Sequence, residues 1–401
     1  MKYKIVSIIG ARPQFIKTPL ISREIRKFAK EILVHTGQHY DGNMSDIFFS
    51  ELKIFKPDYN LAVGSDIQGK QTAKMLEKIE EVLLKEKPDL VIIYGDTNST
   101  VAGALAAVKL HIPVAHIEAG MRSYNREMPE EINRVVSDHI AELLFAPTLS
   151  SVKILKGEGV TKGVYFVGDV MYDIRKKIKN QKSLPRAESR GEIRKIMKKY
   201  TIEPKKYLLA TVHRQENTDI RQNLENIIEA FIKIGHSERS EESLANARSL
   251  TSEEILRLTP QDDNTIVFPA HPRTVKFLKG YGLDKKIAKH PHIKLIEPVG
   301  FMEMMALTTN ARLILTDSGG VQKEAYLDRV PCITLRKETE WIETVASGWN
   351  RLADTDVKKI VRLSKDLSSA NWQTKNHPNF LGNGQAYLKI TKVIKKHLDS
   401  L

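Results

Sequence analysis

The sequence predicts an α/β protein built as two doubly wound domains in series. Three observations carry this reading. Short apolar runs rich in β-branched residues alternate with helical segments of ten or more residues, the signature of parallel sheets. The alternation starts a second time near residue 207. Several of the runs stop at a glycine or at a polar residue, as strands do where they open towards a ligand.

The first domain is read as follows. Lys4–Ile9 is a buried strand that stops at Gly10, with a helix expected from Pro19 to Lys30. Glu31–His35 is a strand ending in Thr36-Gly37-Gln38-His39, and Gln71–Lys85 is an amphipathic helix. Asp89–Tyr94 is a strong strand that stops at Gly95-Asp96, followed by the alanine-rich helix Ser99–Lys109. Pro113–Ile117 is the next strand, Glu131–Leu143 a helix and Leu144–Ala146 a short strand before Pro147. In the second domain the strands are Tyr207–Val212, Thr265–Pro269, Ile293–Ile296, Leu313–Thr316 and Cys332–Leu335, with Leu224–Ile234 among the helices. The expected domains are 1–169 and 170–384, joined by polar, lysine-rich sequence around Val170–Pro204. A last helix within 385–401 is expected to pack back on the first domain. Residues 236–264, rich in Ser, Glu and Arg, are far longer than the roughly 2–6 residues usual between a helix and a strand. They read as an exposed insertion with no part in chemistry.

Composition narrows the function. Lys and Arg number 63 against 49 Asp and Glu, a net charge of +14. The first 168 residues carry only +2, so the excess lies in lysine-rich stretches of the remainder. Such a field attracts anions, nucleotide substrates among them. Acidic residues are interleaved with these lysines and no nucleic-acid-binding motif accompanies them, so nucleic acid is not an expected partner. No apolar run approaches the roughly 20 residues of a spanning helix, and a membrane is not expected either. The apolar run Ile5–Ile9 is too short for a secretory signal, and Cys332 is the single cysteine. The expected compartment is the cytoplasm.

Candidate chemistry collects at strand ends. Arg12 and Lys17 follow the first strand and suit a phosphate. Asp96 and Glu118 follow the third and fourth strands of the first domain, and Glu130 and Glu131 precede Asn133 and Arg134. Grouped carboxylates raise one another's pKa and can divide acid and base roles. In the second domain His213 follows a strand, and Asp317-Ser318-Gly319-Gly320-Val321 makes a strand-to-helix turn. Its glycines allow close backbone approach, and the helix start offers N–H donors to a phosphate. Glu324, one turn in, could accept ribose hydroxyls. There is no G-x-x-x-x-G-K-[ST] loop, no G-x-G-x-x-G fingerprint and no H-E-x-x-H, so neither NAD nor a metal is expected.

Together these motifs resemble the non-hydrolysing UDP-N-acetylglucosamine 2-epimerases. The resemblance runs from GARPQFIK through HTGQH, YGDTNST, HIEAGMRS, MPEEINR, HRQEN, AHPRT and TDSGGVQKEA to RKETEW. It implies a GT-B architecture: two Rossmann-like domains facing a cleft, usually as a homodimer. It also implies inversion at C2 of a UDP-2-acetamido sugar, UDP-GlcNAc to UDP-ManNAc. UDP is eliminated to leave a glycal and then added back. Asp96, Glu118 and Glu130 would be the acid–base carboxylates and His213 the cleft histidine. Arg12, Lys17, Arg214, His271, Phe301, Ser318, Gly319, Gly320 and Glu324 would bind the UDP-sugar. Gln38, His39, Glu131, Arg134, Arg336 and Glu340 are secondary candidates.

GARPQFIK, YGDTNST, DSGGVQKEA and ETEW also resemble the branch acting on UDP-2,3-diacetamido-2,3-dideoxyglucuronate. Gln215 and Trp341 stand where arginine is common in the plain GlcNAc enzymes. Asp41 stands where those enzymes often carry a glutamine associated with allosteric substrate binding, which weighs against activation by UDP-GlcNAc. A GT-B glycosyltransferase and the hydrolysing relative are the competing enzymatic readings, since fold alone does not fix function.

Overall fold

The computed structural model describes residues 2–38, 49–180, 186–236, 264–369, 371–372 and 374–401. The insertion thus lies outside the described residues, apart from its flanking positions, as do His39 and Asp41. The chain folds into two compact units. Unit 1 holds Met1–Lys182 and Asn379–Leu401, and unit 2 holds Ser183–Pro378.

Unit 1 carries a seven-stranded sheet in the order β3-β2-β1-β4-β5-β6-β7. Its strands are β1 (Tyr3–Ile9), β2 (Ala29–His35), β3 (Tyr59–Asn60), β4 (Leu90–Tyr94), β5 (Val114–Ile117), β6 (Leu143–Ala146) and β7 (Val164–Phe166). Unit 2 carries a six-stranded sheet in the order β10-β9-β8-β11-β12-β13. Here the strands are β8 (Tyr207–Thr211), β9 (Thr265–Pro269), β10 (Ile293–Ile296), β11 (Leu313–Thr316), β12 (Cys332–Thr334) and β13 (Asn350–Leu352). Every pairing is parallel. Both orders reverse beside their first strand, between β1 and β4 and between β8 and β11. Ligands bind open α/β sheets at that switch point, beyond the carboxyl ends of the strands. Each unit is therefore Rossmann-like, and two such domains are what a GT-B protein is made from.

Strand alternation builds the cores. On β8, Leu208 and Ala210 join one buried cluster with Leu224, Phe231 and Ile360, while Tyr207 and Leu209 face the other side among Met304, Leu307 and Val330. On β1, Val6 and Ile8 pack with Met75, Ile79 and Ala102. At Gly103 the packing is close: a Cβ there would come within 2.7 Å of Ile8 Cδ1, which would have to shift.

Several boundaries depart from the sequence expectation. The first helix is Arg12–Ile25, not 19–30; Pro13 opens it, where a missing N–H costs nothing, and Pro19 sits inside it. The helix expected at 131–143 is Pro129–Ile140, and Leu143 already belongs to β6. The strands β3, β7 and β13 span only two or three residues each and were not assigned from the sequence. The helix Val170–Asn180 packs against Arg12–Ile25 and the final helix Ala386–Asp399, so it counts with unit 1 rather than with the second domain.

The final helix is tied down at several points. Ile390, Ile394 and Leu398 are buried. Tyr387 N donates to Asp173 Oδ2 (2.8 Å), Asp169 N donates to Leu381 O (2.9 Å), and the Tyr3 hydroxyl reaches Asp399 (3.0 Å).

Candidate active site

The unit 1 switch point is organised by Gln14. Its Oε1 accepts from Gly10 N (2.7 Å) and Ala11 N (3.0 Å), and its Nε2 donates to Tyr94 O (2.8 Å) and Thr97 Oγ1 (3.0 Å). One buried amide thus ties the loop after β1 to the loop after β4. A glutamine in the first turn of a helix was the only sequence signal for it, and the sequence analysis passed over it.

Asp96 and Glu118 stand at the carboxyl ends of the adjacent strands β4 and β5, each with its own cation. The Asp96 side chain is about a third exposed, and its Oδ2 accepts from Arg134 Nη2 at 2.5 Å. Glu118 pairs with Lys17 Nζ, and both side chains are nearly buried, at 14% and 5% exposure. The carboxylate and ammonium flank Gly95: a Cβ built there would lie 3.5 Å from each. Glu118 has φ +73°, a left-handed backbone that costs a non-glycine residue about 1–3 kcal/mol. Strain of this kind concentrates where a side chain must be aimed. The structure therefore places Lys17 against a carboxylate, where the sequence reading had expected it to face phosphate.

Glu130 and Glu131 open the helix Pro129–Ile140, where the helix dipole favours negative charge. The two differ in setting. Glu130 is half-buried. Glu131 is buried and accepts from Ser123 N (2.9 Å), Ser123 Oγ (3.0 Å), Tyr124 N (2.9 Å) and Arg134 Nη1 (2.7 Å). Burial works against its charge, but the Ser123 N–H, Arg134 and the Tyr124 N–H outweigh it and hold its pKa below the ordinary range. Glu131 is thereby a fixed anion that orients Arg134 towards Asp96. Asn133 adds a hydrogen bond to Asp96 O at 3.0 Å. Gln38 Oε1 accepts from Ser99 N (3.0 Å) and Ser99 Oγ (2.7 Å), capping the helix Asn98–Lys109. Arg12, half-buried, begins the helix after β1.

Behind this rim lies a second set that the sequence analysis did not single out. His116, on β5, is buried with Nδ1 2.8 Å from Asp138 Oδ1 and Nε2 2.7 Å from Gly95 O. Asp138 Oδ2 accepts from Arg122 Nη1 (2.6 Å) and Gly120 N (3.0 Å), and Arg122 forks onto Glu158 at 2.8 and 2.7 Å. A histidine in the otherwise apolar strand VAHI was the available signal.

In unit 2 the switch point holds His213 over Asp317. The imidazole is exposed, with Nδ1 3.2 Å from Asp317 Oδ1, while the carboxylate is fully buried. Asp317 also accepts from His213 N (3.0 Å), Arg214 N (3.0 Å) and Asn217 Nδ2 (3.1 Å). Burial opposes its ionisation, but the His213 charge and these donors prevail and keep its pKa low. Across β8 and β11, the Thr211 and Thr316 hydroxyls bond at 2.6 Å and lock the strand ends.

Ser318 caps the helix Gly319–Leu327, its Oγ accepting from Val321 N at 3.5 Å. The two glycines differ. A Cβ on Gly319 would overlap Glu340 Oε1, whereas at Gly320 there is room for one. Glu324 is buried on the same helix. Arg336 is buried, donates to Glu340 Oε2 at 3.0 Å and lies 3.8 Å from Glu216. Burial pushes the Glu216 carboxyl up, with Arg336 and Arg214 pulling the other way. His271 caps the helix Pro272–Gly280 through Nδ1, and Phe301, buried, starts the helix Phe301–Asn310. Lys323 Nζ sits 4.6 Å over the Trp341 ring, a cation–π contact.

Among the described residues, no group of three or more His, Cys, Asp or Glu could hold a metal ion, and no helix is long and apolar enough to cross a membrane.

The UDP-N-acetylglucosamine 2-epimerase family model matches residues 23–241 and 236–395. A UDP-N-acetylglucosamine 2-epimerase homolog from Methanococcus maripaludis is 50% identical over 98% of this chain and 99% of its own. The UDP-2,3-diacetamido-2,3-dideoxy-D-glucuronate 2-epimerase of Pseudomonas aeruginosa is 41% identical over 98% and 99%. Among solved structures, Methanocaldococcus jannaschii UDP-GlcNAc 2-epimerase in complex with UDP-GlcNAc and UDP aligns with a TM-score of 0.85. It is 42% identical over 98% of this chain and 99% of that one.

Proposed function

The chain belongs to the UDP-N-acetylglucosamine 2-epimerase family, and from that premise we propose that it inverts C2 of UDP-GlcNAc to give UDP-ManNAc without hydrolysis. The observation that carries the reading is the pair of carboxylates, Asp96 and Glu118, on adjacent strand ends with separate cationic partners.

Inversion at C2 needs a base on one face and an acid on the other. Here it runs as an elimination. A carboxylate takes the C2 proton, the C1–C2 double bond forms, and the C1–O bond breaks with its electrons leaving on UDP. Re-addition reverses each step, with the proton delivered to the opposite face of C2. Asp96, Glu118 and Glu130 supply the acid–base groups. Arg12, at the start of the helix after β1, and the His213–Asp317 pair offset the charge that gathers on the leaving diphosphate. Ser318 and Gly320, with the N-terminus of Gly319–Leu327, hold that diphosphate, and Glu324 accepts from the ribose. Elimination and re-addition involve no hydride transfer, so the proposed route is written without NAD, and no metal is included in it. A cytoplasmic homodimer is the accompanying expectation, supported by the family resemblance.

The test is proton NMR of UDP-GlcNAc incubated with the protein in deuterated water, with chelator and without NAD. Two UDP-sugars at equilibrium, both deuterated at C2, are expected. Accumulation of free sugar would replace this reading with the hydrolysing one. If UDP-GlcNAc is inert, UDP-2,3-diacetamido-2,3-dideoxyglucuronate is the second substrate to try, on the strength of the Pseudomonas relative. Asp96→Asn, Glu118→Gln and Glu130→Gln should each cut exchange at least 100-fold with UDP binding retained.

A further inference from the structure

We propose that His116, held as an imidazolium by Asp138, is a positioning residue that fixes the Gly95–Asp96 turn and so aims the Asp96 carboxylate. The inference rests on the epimerase reading above and adds a residue to it.

The two partners of the ring are both acceptors. Nδ1 faces Asp138 Oδ1 at 2.8 Å and Nε2 faces the Gly95 carbonyl at 2.7 Å. A neutral imidazole has one N–H and one lone pair, so one of these contacts would set a lone pair against an acceptor. Only the doubly protonated ring satisfies both. Burial of such a cation requires a fixed anion, and the structure supplies one. His116 and Asp138 are fully buried, and Asp138 is held as the anion by His116, Arg122 and Gly120 N. Arg122 is in turn neutralised by its two bonds to Glu158, which reaches solvent. Charge therefore alternates from the surface inwards as Glu158, Arg122, Asp138, His116, and it ends on an uncharged carbonyl.

That carbonyl is the hinge of the site. Gly95 lies in the left-handed region at φ +64°. Its N–H is spent on Ile117 O (2.9 Å) and its carbonyl on His116, so both ends of the residue are pinned to β5. The next residue is Asp96. The same Asp138 also holds Gly120 N, two residues past Glu118. One buried ion pair thus steadies both strand ends that carry the candidate acid–base carboxylates.

The test uses the isosteres of the two ring nitrogens. His116→Gln retains a donor at the Nε2 position towards Gly95 O, and His116→Asn retains one at the Nδ1 position towards Asp138. Steady-state kinetics of UDP-sugar epimerisation should show kcat down at least 100-fold in His116→Asn and within about 10-fold of the parent in His116→Gln. KM and UDP affinity should stay within about 3-fold in both. Equal activity in the two variants, or loss that follows UDP affinity rather than kcat, would overturn the proposal. A wild-type protein that epimerises no UDP-sugar would instead defeat the underlying reading. Should neither variant fold, ¹⁵N-histidine NMR of the wild-type chain decides. The proposal requires one ring with both nitrogens protonated at pH 7.5 whose signals shift in Asp138→Asn. Twelve rings with no such signature would end it.

Discussion

Arg134 shows how much a single side chain carries at this site. It spans Asp96 and Glu131, and it is buried. Arg134→Met would leave Glu131 charged and buried without its cation, which typically costs about 3–5 kcal/mol. Urea denaturation of the variant should show a loss of that size, together with loss of C2 exchange; a change below about 1 kcal/mol would mean that the Ser123 and Tyr124 donors suffice for Glu131. At this scale the sequence was a partial guide. Asp96, Glu118 and His213 were legible because each directly follows an apolar strand and they recur as a set, and Arg134 because it falls in the MPEEINR motif. The side-chain pairing was not. Nothing in the spacing of Lys17 and Glu118, 101 residues apart, says that they meet. Nor does the sequence say that Gly319 is small because Glu340 lies against it, or that Glu131 is an anchored anion while Glu130 is half-buried.

At the scale of elements, helix starts do much of the positioning, and Asp173 carries a pH dependence that reaches neutrality. It accepts from Tyr387 N at the head of Ala386–Asp399. Burial, reinforced by the neighbouring charge of Asp169, pushes its pKa up to about 7, although the Tyr387 N–H pulls it down. The unfolded chain titrates this carboxyl near its ordinary value, so between about pH 4 and pH 7 the native state binds the extra proton. Stability is then fully present below about pH 4 and declines as pH rises to 7. Asp173→Asn should raise stability at pH 8, by up to about 4 kcal/mol, and have little effect at pH 4, read as Tm by calorimetry at the two pH values. An equal effect at both would refute this account. Apart from β3, β7 and β13, strand positions were legible from β-branched runs, and so was the doubly wound class. Helix limits were less so. The first helix begins at Arg12 because Pro13 and Gln14 together satisfy its start, and apolar periodicity alone pointed seven residues too late.

For the whole molecule, two units in the expected order were legible from the restart of the strand–helix alternation. The join was not, because lysine-rich composition cannot tell a linker from the exposed face of Val170–Asn180. Removing residues 237–263 and closing the gap with a short glycine–serine link should leave kcat, KM and Tm within about two-fold or 2 °C of the parent, as the sequence reading of an insertion with no part in chemistry expects. A folded but inactive deletion would show that the insertion takes part in turnover. The return of residues 379–401 to unit 1 has a further consequence, for biogenesis. Translation runs from the amino end, so unit 2 can be complete on the ribosome while unit 1 still lacks Ala386–Asp399. Until that helix has emerged from the ribosome, the apolar surface of Arg12–Ile25 and Val170–Asn180 stays uncovered. The nascent chain's first-made half is the last to be sealed, and a premature stop codon near residue 379 would yield a product that aggregates rather than a smaller enzyme.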